Sequence, residues 1–293
     1  MTTAVPSPRA TIAELRPGAE IDGVFACTRK DRLVARTGAT YLALELRDRT
    51  GAIPARVFRD ADFAAGRFDR GDLVAVRGRV ERFREELVAE LGSVRRAEAA
   101  DPADFLPVAY RDLDELEGFL EHLSREVYDP DYRGLLDAFL GDESFRAELR
   151  RAPCTRTGHH AYLGGLLEHT VAVTTLAQEA CALHPRLNSD LLLCAAILHD
   201  AGKTREFELG AEISLSEAGA MVGHLVLGQQ MVAERRGRMP AAKLHALSHC
   251  LLSHHGADAL TARRFRSPEA LALYRLNALD ASVKGALEHG LPT

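Results

Sequence analysis

The sequence predicts a two-domain protein in which an all-β domain precedes an all-helical one. Alternating apolar and polar residues, typical of strands, recur from about Ile21 to Val94. From Asp112 onward, the apolar residues repeat instead with the helical period of about 3.6 residues. Residues 98–117, which are rich in alanine and contain two prolines, separate the two patterns and are predicted to be a linker. A chain of 293 residues is long enough to form two hydrophobic cores.

The first domain is assigned to residues 11–97, after ten Pro/Ser/Thr-containing residues, 1–10, that are predicted to be disordered. A turn signal at residues 48–51 separates the second strand from the third. A short helix is predicted at residues 61–68. The strands are predicted at residues 21–27, 41–46, 53–58, 73–80 and 86–94. Five short strands with a helix between the third and the fourth are the element order of an OB-fold barrel.

The barrel resembles the anticodon-type OB-fold domains that bind nucleic acids, mainly in residues 41–51 and 57–58. Such barrels hold single strands by stacking bases on exposed aromatic rings in a basic groove. Residues 1–97 carry 18 basic and 14 acidic side chains, a balance of +4, and the remainder carries 19 and 28, a balance of −9. A solvated surface with a chance imbalance remains the alternative. The predicted nucleic-acid contacts are Tyr41, Phe58, Phe83, Lys30 and Arg56, and Phe25, Arg32, Arg79 and Arg82 are further available residues.

The second domain is assigned to residues 118–293 and is predicted to be all-α. No apolar run approaches the roughly 18 residues of a membrane helix, and residues 1–16 contain no apolar signal core. The five cysteines are scattered and form no C-x-x-C pair, so we expect reduced thiols and a cytoplasmic protein without membrane association.

A histidine and an aspartate, His199 and Asp200, follow an apolar run at residues 191–197. The run predicts a buried helix, and burying the two polar groups is costly unless they have partners. A divalent metal ion is one such partner. Lys203 follows Asp200 by three residues, so the two side chains share one helical face, where an ammonium group can stabilise a bound phosphate.

Further histidines and an aspartate recur in helical, mostly apolar sequence. The predicted metal ligands are His169, His199, Asp200, His224, His254, His255 and Asp280. Seven ligands exceed what one octahedral ion accepts, so two ions bridged by Asp200 are predicted. Gly164 and Gly165 fall inside a helix predicted to open at Arg156, and they indicate a close approach by another helix or by substrate backbone.

The ligand series with Lys203 resembles the HD superfamily of metal-dependent phosphohydrolases in its two-metal form. Residues 199–203 and 254–255 also match HD-GYP phosphodiesterases, and residues 159–170, 223–224 and 253–256 resemble the bacterial YhaM-type 3′-to-5′ exoribonucleases. That resemblance implies an OB-fold ahead of an HD domain, hydrolysis of single-stranded RNA from the 3′ end, and two divalent ions, with manganese favoured and iron as the alternative. Asp200 and Lys203 are the implied catalytic residues. One ion is expected at His169, His199, Asp200 and Asp280, and the other at His224, His254, His255 and Asp200.

Substrate contacts are predicted at His159, His160, Arg264 and Arg266. The last two lie in residues 257–267, where the sequence departs from the loop usual in the resembling family. Two other functions stay open, namely a phosphodiesterase acting on a small or cyclic nucleotide and a single-strand DNA-binding factor. The preference for RNA over single-stranded DNA and the oligomeric state are also left open.

Overall fold

The computed structural model describes residues 11–35, 38–97, 101–259 and 263–290. The segment predicted to be disordered, residues 1–10, lies outside the described residues. The chain divides into two compact units. One comprises the residues up to Pro107 together with 209–213, and the other comprises 108–208 and the residues from Ser214 onward.

Five strands of the first unit close into a barrel in the order β1-β2-β3-β5-β4. Neighbouring strands are antiparallel except for β3 and β5, which are parallel. The elements are β1 (Glu20–Val34), β2 (Thr40–Asp48), β3 (Gly51–Val57), α1 (Ala61–Ala65), β4 (Leu73–Phe83) and β5 (Glu86–Arg96). The predicted OB-fold order is therefore confirmed.

The alternation of residues along each strand divides the barrel into an inner and an outer surface. On β2, Leu42, Leu44 and Leu46 are buried in the barrel core, and the residues between them are partly exposed. Between β4 and β5, Arg84 and Glu85 form a two-residue turn in which both have positive φ. This backbone twist matches that of a tight hairpin, which fixes the register of the two strands.

The second unit is mainly helical. Its helices are α2 (Leu113–Arg125), α3 (Pro130–Leu140), α4 (Glu143–Arg151), α5 (Gly165–Leu183), α6 (Ser189–Leu198), α7 (Lys203–Glu206), α8 (Glu217–Arg235), α9 (Ala241–Ser253) and α10 (Pro268–His289). Helix α2 begins inside the predicted linker because the Asp112 carboxylate accepts the backbone N–H groups of Asp114 and Glu115. Two short strands, β6 (Phe207–Leu209) and β7 (Ile213–Leu215), pair between α7 and α8, which the all-α prediction missed.

Helix α6 lies at the centre of the helical core. Every residue from Leu191 to Leu198 is buried, as the apolar run predicts. The helix ends at His199 and Asp200, which are 2% and 1% exposed. The core thus places an imidazole and a carboxylate in the protein interior, where each needs a partner.

The two adjacent glycines mark the start of α5 rather than its interior. Gly164 has a φ of +80°, in the left-handed region, and α5 begins at Gly165. A Cβ atom on Gly165 would lie 2.2 Å from the carbonyl oxygen of His160. The predicted close approach therefore comes from the preceding segment of the same chain, and the prediction of a helix opening at Arg156 is wrong. In the part of the chain that the structure describes, no helix has the length and hydropathy of a membrane span.

Candidate metal centre and strand-binding surface

The carboxylate of Asp200 directs its two oxygens to different pairs of histidines. Oδ2 lies 3.3 Å from Nε2 of His199 and 3.5 Å from Nε2 of His169. Oδ1 lies 3.3 Å from Nε2 of His254 and 3.6 Å from Nε2 of His224. Residues from α5, α8 and the ends of α6 and α9 therefore converge on one buried side chain.

Backbone carbonyl groups fix the tautomers of two of these histidines. Nδ1 of His199 lies 2.8 Å from the oxygen of Ala196, and Nδ1 of His254 lies 2.7 Å from that of Leu251. A carbonyl oxygen only accepts, so both Nδ1 atoms donate, and a neutral ring then presents a lone pair at Nε2. Burial lowers the pKa of His254 to about 3, so this ring is neutral at pH 7.

The lone pair of His254 therefore points at Oδ1 of Asp200, and both atoms accept. Both are buried, and neither has a hydrogen-bond partner among the described residues. Two buried acceptors facing each other are unfavourable unless a cation lies between them. The donor set of imidazole nitrogens and a carboxylate suits a divalent metal ion. The residues present thus fit a metal site.

Carboxylates orient two other histidines of the cluster. Nδ1 of His169 lies 2.6 Å from Oδ2 of Asp280, and Nδ1 of His224 lies 2.9 Å from Oε1 of Glu206. The Nε2 atoms point inward, and that of His169 lies 3.2 Å from Nε2 of His199 and 3.0 Å from Oδ1 of Asn277. For His224, the inward neighbour is Nε2 of His255, at 2.9 Å. A carboxylate on the outer ring nitrogen is the usual partner of a metal-binding histidine.

Asp280, predicted as a ligand, contacts two imidazoles through the same oxygen. Besides His169, it lies 3.1 Å from Nε2 of His160. Burial alone would raise the pKa of Asp280, but the hydrogen bonds to the two rings hold it below its usual range. Asp280 is thus an anion next to the cluster, and its role as a direct ligand stays a prediction.

Lys203 and Asp200 form a buried ion pair, with Nζ 2.7 Å from Oδ2. Burial alone would raise the pKa of Asp200, but the charges of Lys203 and the imidazoles hold it well below its usual range. Burial would likewise lower the pKa of Lys203, but the attraction of Asp200 raises it above the usual value. Both groups are therefore charged at neutral pH, on the shared helical face that the spacing predicts.

A cavity of about 510 Å³ opens beside the cluster. Its walls include Lys203, His159 and Tyr274. His160, in contrast, is 1% exposed, and its ring nitrogens contact Tyr162 Oη at 2.8 Å and Asp280 at 3.1 Å. The structure therefore does not support substrate contact by His160. Arg264 and Arg266, the other predicted contacts, are exposed.

Four of the five predicted nucleic-acid contacts form two pairs on the outer surface of the barrel. One pair is two stacked rings, and the other is a guanidinium over a ring. The rings of Tyr41 and Phe58 are stacked, with centroids 5.3 Å apart and planes at 28°. The guanidinium of Arg56 lies 4.2 Å from the centroid of the Phe83 ring. Phe58 and Phe83 are each 43% exposed, so both rings are accessible to a ligand.

Comparisons with known proteins find a match for each of the two domains. Residues 166–282 match the HD domain family, and residues 25–94 match the OB-fold nucleic acid binding domain family. The chain carries an OB-fold domain followed by an HD domain.

Relatives named 3′-5′ exoribonuclease YhaM match most of the chain. The 3′-5′ exoribonuclease YhaM of Oceanobacillus iheyensis is 29% identical over 82% of this chain and 76% of the relative. The YhaM proteins of Shouchella clausii and Bacillus subtilis are 26% and 25% identical, over 92% and 91% of this chain and 85% and 86% of the relatives. The second OB-fold domain of replication protein A from Methanococcus maripaludis is 23% identical and covers 32% of this chain and 99% of its own, with a TM-score of 0.24. The predicted resemblance to YhaM-type exoribonucleases is confirmed.

Two predicted residues of the OB-fold domain have other roles. Nζ of Lys30 lies 2.6 Å from the carbonyl oxygen of Ala65, and it also contacts the carbonyl of Phe68 and the carboxylate of Asp69. Its side chain is 14% exposed. Lys30 therefore donates to carbonyl groups at and just after the end of α1, and the structure does not support its predicted contact with phosphate. Phe25 is 1% exposed and belongs to the barrel core.

Sequence reasoning missed two residues of the HD domain, Glu206 and Cys154. Glu206 holds His224, although no spacing rule links a glutamate on α7 to a histidine eighteen positions later. The thiol of Cys154 lies 3.9 Å from Oδ2 of Asp200, and burial raises its pKa to about 12. Its buried position before α5 gives no local signal, because a cysteine outside a paired motif is usually a small core residue.

Proposed function

We propose that this protein is a metal-dependent 3′-to-5′ exoribonuclease, in which the HD domain hydrolyses single-stranded RNA and the OB-fold domain holds the strand. The observation that carries the proposal is the buried Asp200 carboxylate with separate oxygens directed at two pairs of histidines. The activity itself is that named for the relatives.

Two divalent ions would share Asp200. His169 and His199 would hold one, with Asp280 beside them, and His224, His254 and His255 would hold the other; the donor groupings around Asp200 support this division. The mixed nitrogen and oxygen donors favour manganese, with iron as the alternative. Bound divalent ions act as Lewis acids towards phosphate oxygens and supply a water of lowered pKa at neutral pH.

The side chains around the cluster position and stabilise the reacting phosphate. Lys203 lies at the cavity wall with its charge fixed by Asp200, where it can stabilise negative charge that develops on non-bridging oxygens. Glu206 and Asp280 keep the rings of His224 and His169 turned inward. The rings of Phe207 and Tyr274 also line the cavity, where they would exclude water next to the terminal nucleotide.

The OB-fold surface would hold the strand through its rings. Tyr41 and Phe58 form one stacked platform, and Phe83 with Arg56 forms a second, cationic one. Stacking accepts every base, because each base has an aromatic face. The surface thus suits an enzyme that processes strands without regard to sequence.

The test uses one RNA oligonucleotide labelled at either end, incubated with the protein and Mn²⁺. For the proposed direction, a 3′ label appears at once in a mononucleotide, whereas a 5′ label appears in a ladder of progressively shorter products. Asp200→Ala should abolish hydrolysis and leave RNA binding, because the binding rings lie in the other domain. Asp114→Ala, which removes a carboxylate that is 85% exposed on α2, is the matched control and should stay active.

Two outcomes would replace the proposal. Turnover of a cyclic dinucleotide without hydrolysis of RNA would assign the site to a small-nucleotide phosphodiesterase. Tight binding of single strands, without hydrolysis of either substrate in the presence of Mn²⁺ or Fe²⁺, would indicate a single-strand binding factor instead of an enzyme.

A further inference from the structure

The thiol of Cys154 lies within the cluster, although the predicted ligand series does not include it. Cys154 follows α4, and its backbone N–H donates to the carbonyl oxygen of His160 at 3.0 Å. The residue is 0% exposed. Its Sγ lies 3.7 Å from Nε2 of His159 and 3.9 Å from Oδ2 of Asp200. A soft donor atom is thus held beside the hard donors of the candidate metal site.

Cys154 forms a group of three possible metal donors with two histidines. Cys154, His159 and His169 each offer a donor atom, and these three atoms lie within 4.8 Å of one another. A tetrahedral ion with bonds of about 2.3 Å to sulfur and about 2.1 Å to nitrogen places those two donors about 3.6 Å apart. The separation of 3.7 Å between Cys154 and His159 fits that value. By contrast, Cys194 and Cys250 are buried among apolar side chains of the helical core.

We infer that Cys154 is a metal ligand, and that it extends the donor set of the ion position that includes His169. The nitrogen of His159 faces the same point and can complete that set. When the ion binds, the S–H bond breaks, the proton passes to solvent and a sulfur–metal bond forms. The inference rests on the metal-binding part of the proposed function and not on the substrate.

A sulfur donor changes which ion the position prefers. Thiolates favour borderline ions such as Fe²⁺, Co²⁺ and Zn²⁺, whereas Mn²⁺ prefers oxygen donors. The position containing Cys154 therefore prefers a thiophilic ion, whereas the position held by His224, His254 and His255 has no sulfur donor among the described residues. Replacing the thiol with a hydroxyl should move the preference of the first position towards Mn²⁺.

A simpler role for the thiol is to accept a hydrogen bond from Lys203, whose Nζ lies 3.5 Å from Sγ. Cys154→Ser separates the two roles, because a serine hydroxyl also accepts from an ammonium but forms no sulfur–metal bond. Cys181→Ser is the matched control. Cys181 is a half-buried thiol on α5, outside the donor groups found among the described residues.

The experiment adds Co²⁺ to the metal-free full-length protein and records the near-ultraviolet spectrum, with bound cobalt measured by equilibrium dialysis. We expect a sulfur-to-cobalt charge-transfer band in the wild type and in Cys181→Ser, and its loss in Cys154→Ser at matched cobalt occupancy. Bound cobalt without that band in the wild type would overturn the inference, as would a band that persists in Cys154→Ser. Bound cobalt without the band in the wild type overturns the inference even if Cys154→Ser does not fold, and Cys154→Ala then serves as the second variant.

The same preparations, assayed on RNA, separate this inference from the proposed function. RNA hydrolysis without a charge-transfer band means that the thiol is not a ligand and that the proposed function stands. A charge-transfer band with cobalt, together with no hydrolysis of RNA when Mn²⁺ is supplied, means that the ligand assignment stands and that the proposed function is wrong.

Discussion

Glu206 and His224 are joined twice through a single carboxylate oxygen. Oε1 of Glu206 accepts from the backbone N–H of His224 at 2.9 Å and from its ring Nδ1 at 2.9 Å. The preceding residue, Gly223, has a φ of +70° and interrupts the helical conformation of α8. The break turns the backbone N–H of His224 towards α7, and the carboxylate then fixes both the main chain and the ring.

Removing this carboxylate should weaken metal binding at the position that includes His224. Glu206→Ala leaves Nδ1 without its acceptor, and losses of such partners cost about 10- to 100-fold in metal affinity. Competition with a chromophoric chelator measures that affinity. Glu208→Ala, an exposed neighbour on β6, should bind as the wild type does. An unchanged affinity in Glu206→Ala would contradict the positioning role.

The stacked pair on the OB-fold domain predicts a specific loss of RNA affinity. Phe58→Ala removes one ring of the Tyr41–Phe58 stack. A base stacked on an aromatic side chain contributes about 1–3 kcal/mol, so we expect binding weaker by about 5- to 150-fold. Fluorescence anisotropy with a labelled oligonucleotide measures it. Phe63→Ala, which removes a more exposed ring on α1 (63% exposed), is the control, and equal losses in both variants would argue against a localised platform.

Two glycine-to-alanine changes should act in opposite directions. A Cβ atom on Gly202 would lie 2.1 Å from the carbonyl oxygen of His224, although the backbone of Gly202 is in the ordinary helical region. Gly202→Ala forces α7 and α8 apart, and overpacking of this kind costs about 1–3 kcal/mol of unfolding free energy. Gly134 on α3 is exposed and would meet nothing within 4 Å, so Gly134→Ala should stabilise by about 0.4–1 kcal/mol. Urea unfolding measures both, and a Gly202→Ala variant as stable as the wild type would refute the close contact.

Glu117 on α2 predicts a pH-dependent part of the stability. Burial alone would raise its pKa, but hydrogen bonds from Arg146 and Arg150 on α4 hold the pKa below the usual value for a glutamate. A carboxyl group with a lowered folded-state pKa stabilises the fold fully above its unfolded-state pKa. That stabilisation disappears as the pH falls through the folded-state value.

Glu117→Gln should therefore lower the free energy of unfolding by about 1 kcal/mol at pH 7, which is in the upper part of the range for partly exposed ion pairs. The difference from the wild type should shrink as the pH falls below about 4.5. Urea unfolding at several pH values measures this. Glu115→Gln, at a carboxylate that is 58% exposed, should change little. A difference that grows at acid pH would show the opposite sign for the pKa shift.

The sequence was sufficient for features that depend on local periodicity. Alternation predicted the strands of the barrel, and the apolar run at residues 191–197 predicted the buried helix that delivers His199 and Asp200. The spacing of Asp200 and Lys203 predicted that the two side chains share one helical face, where the structure shows them as an ion pair. Each of these relationships is set within one or two turns of backbone.

Features set by distant contacts were not predictable in this way. The carbonyl groups that accept from Lys30 belong to residues 35 and 38 positions away. From the sequence alone, this lysine on a strand was therefore interpreted as a phosphate contact. His160 is buried because Tyr162 and the remote Asp280 enclose its ring. At the start of α5, the carbonyl oxygen of His160 lies where a Cβ atom of residue 165 would be. Helical propensity does not reveal such a contact.

Asp200 is common to both halves of the histidine cluster, one oxygen to each. An ion that draws electron density from one oxygen makes the other a poorer donor, and it also competes with Lys203 for the same carboxylate. In the proposed two-ion arrangement, binding at the second position would therefore depend on the first, and a titration curve would report the coupled pair rather than either position alone.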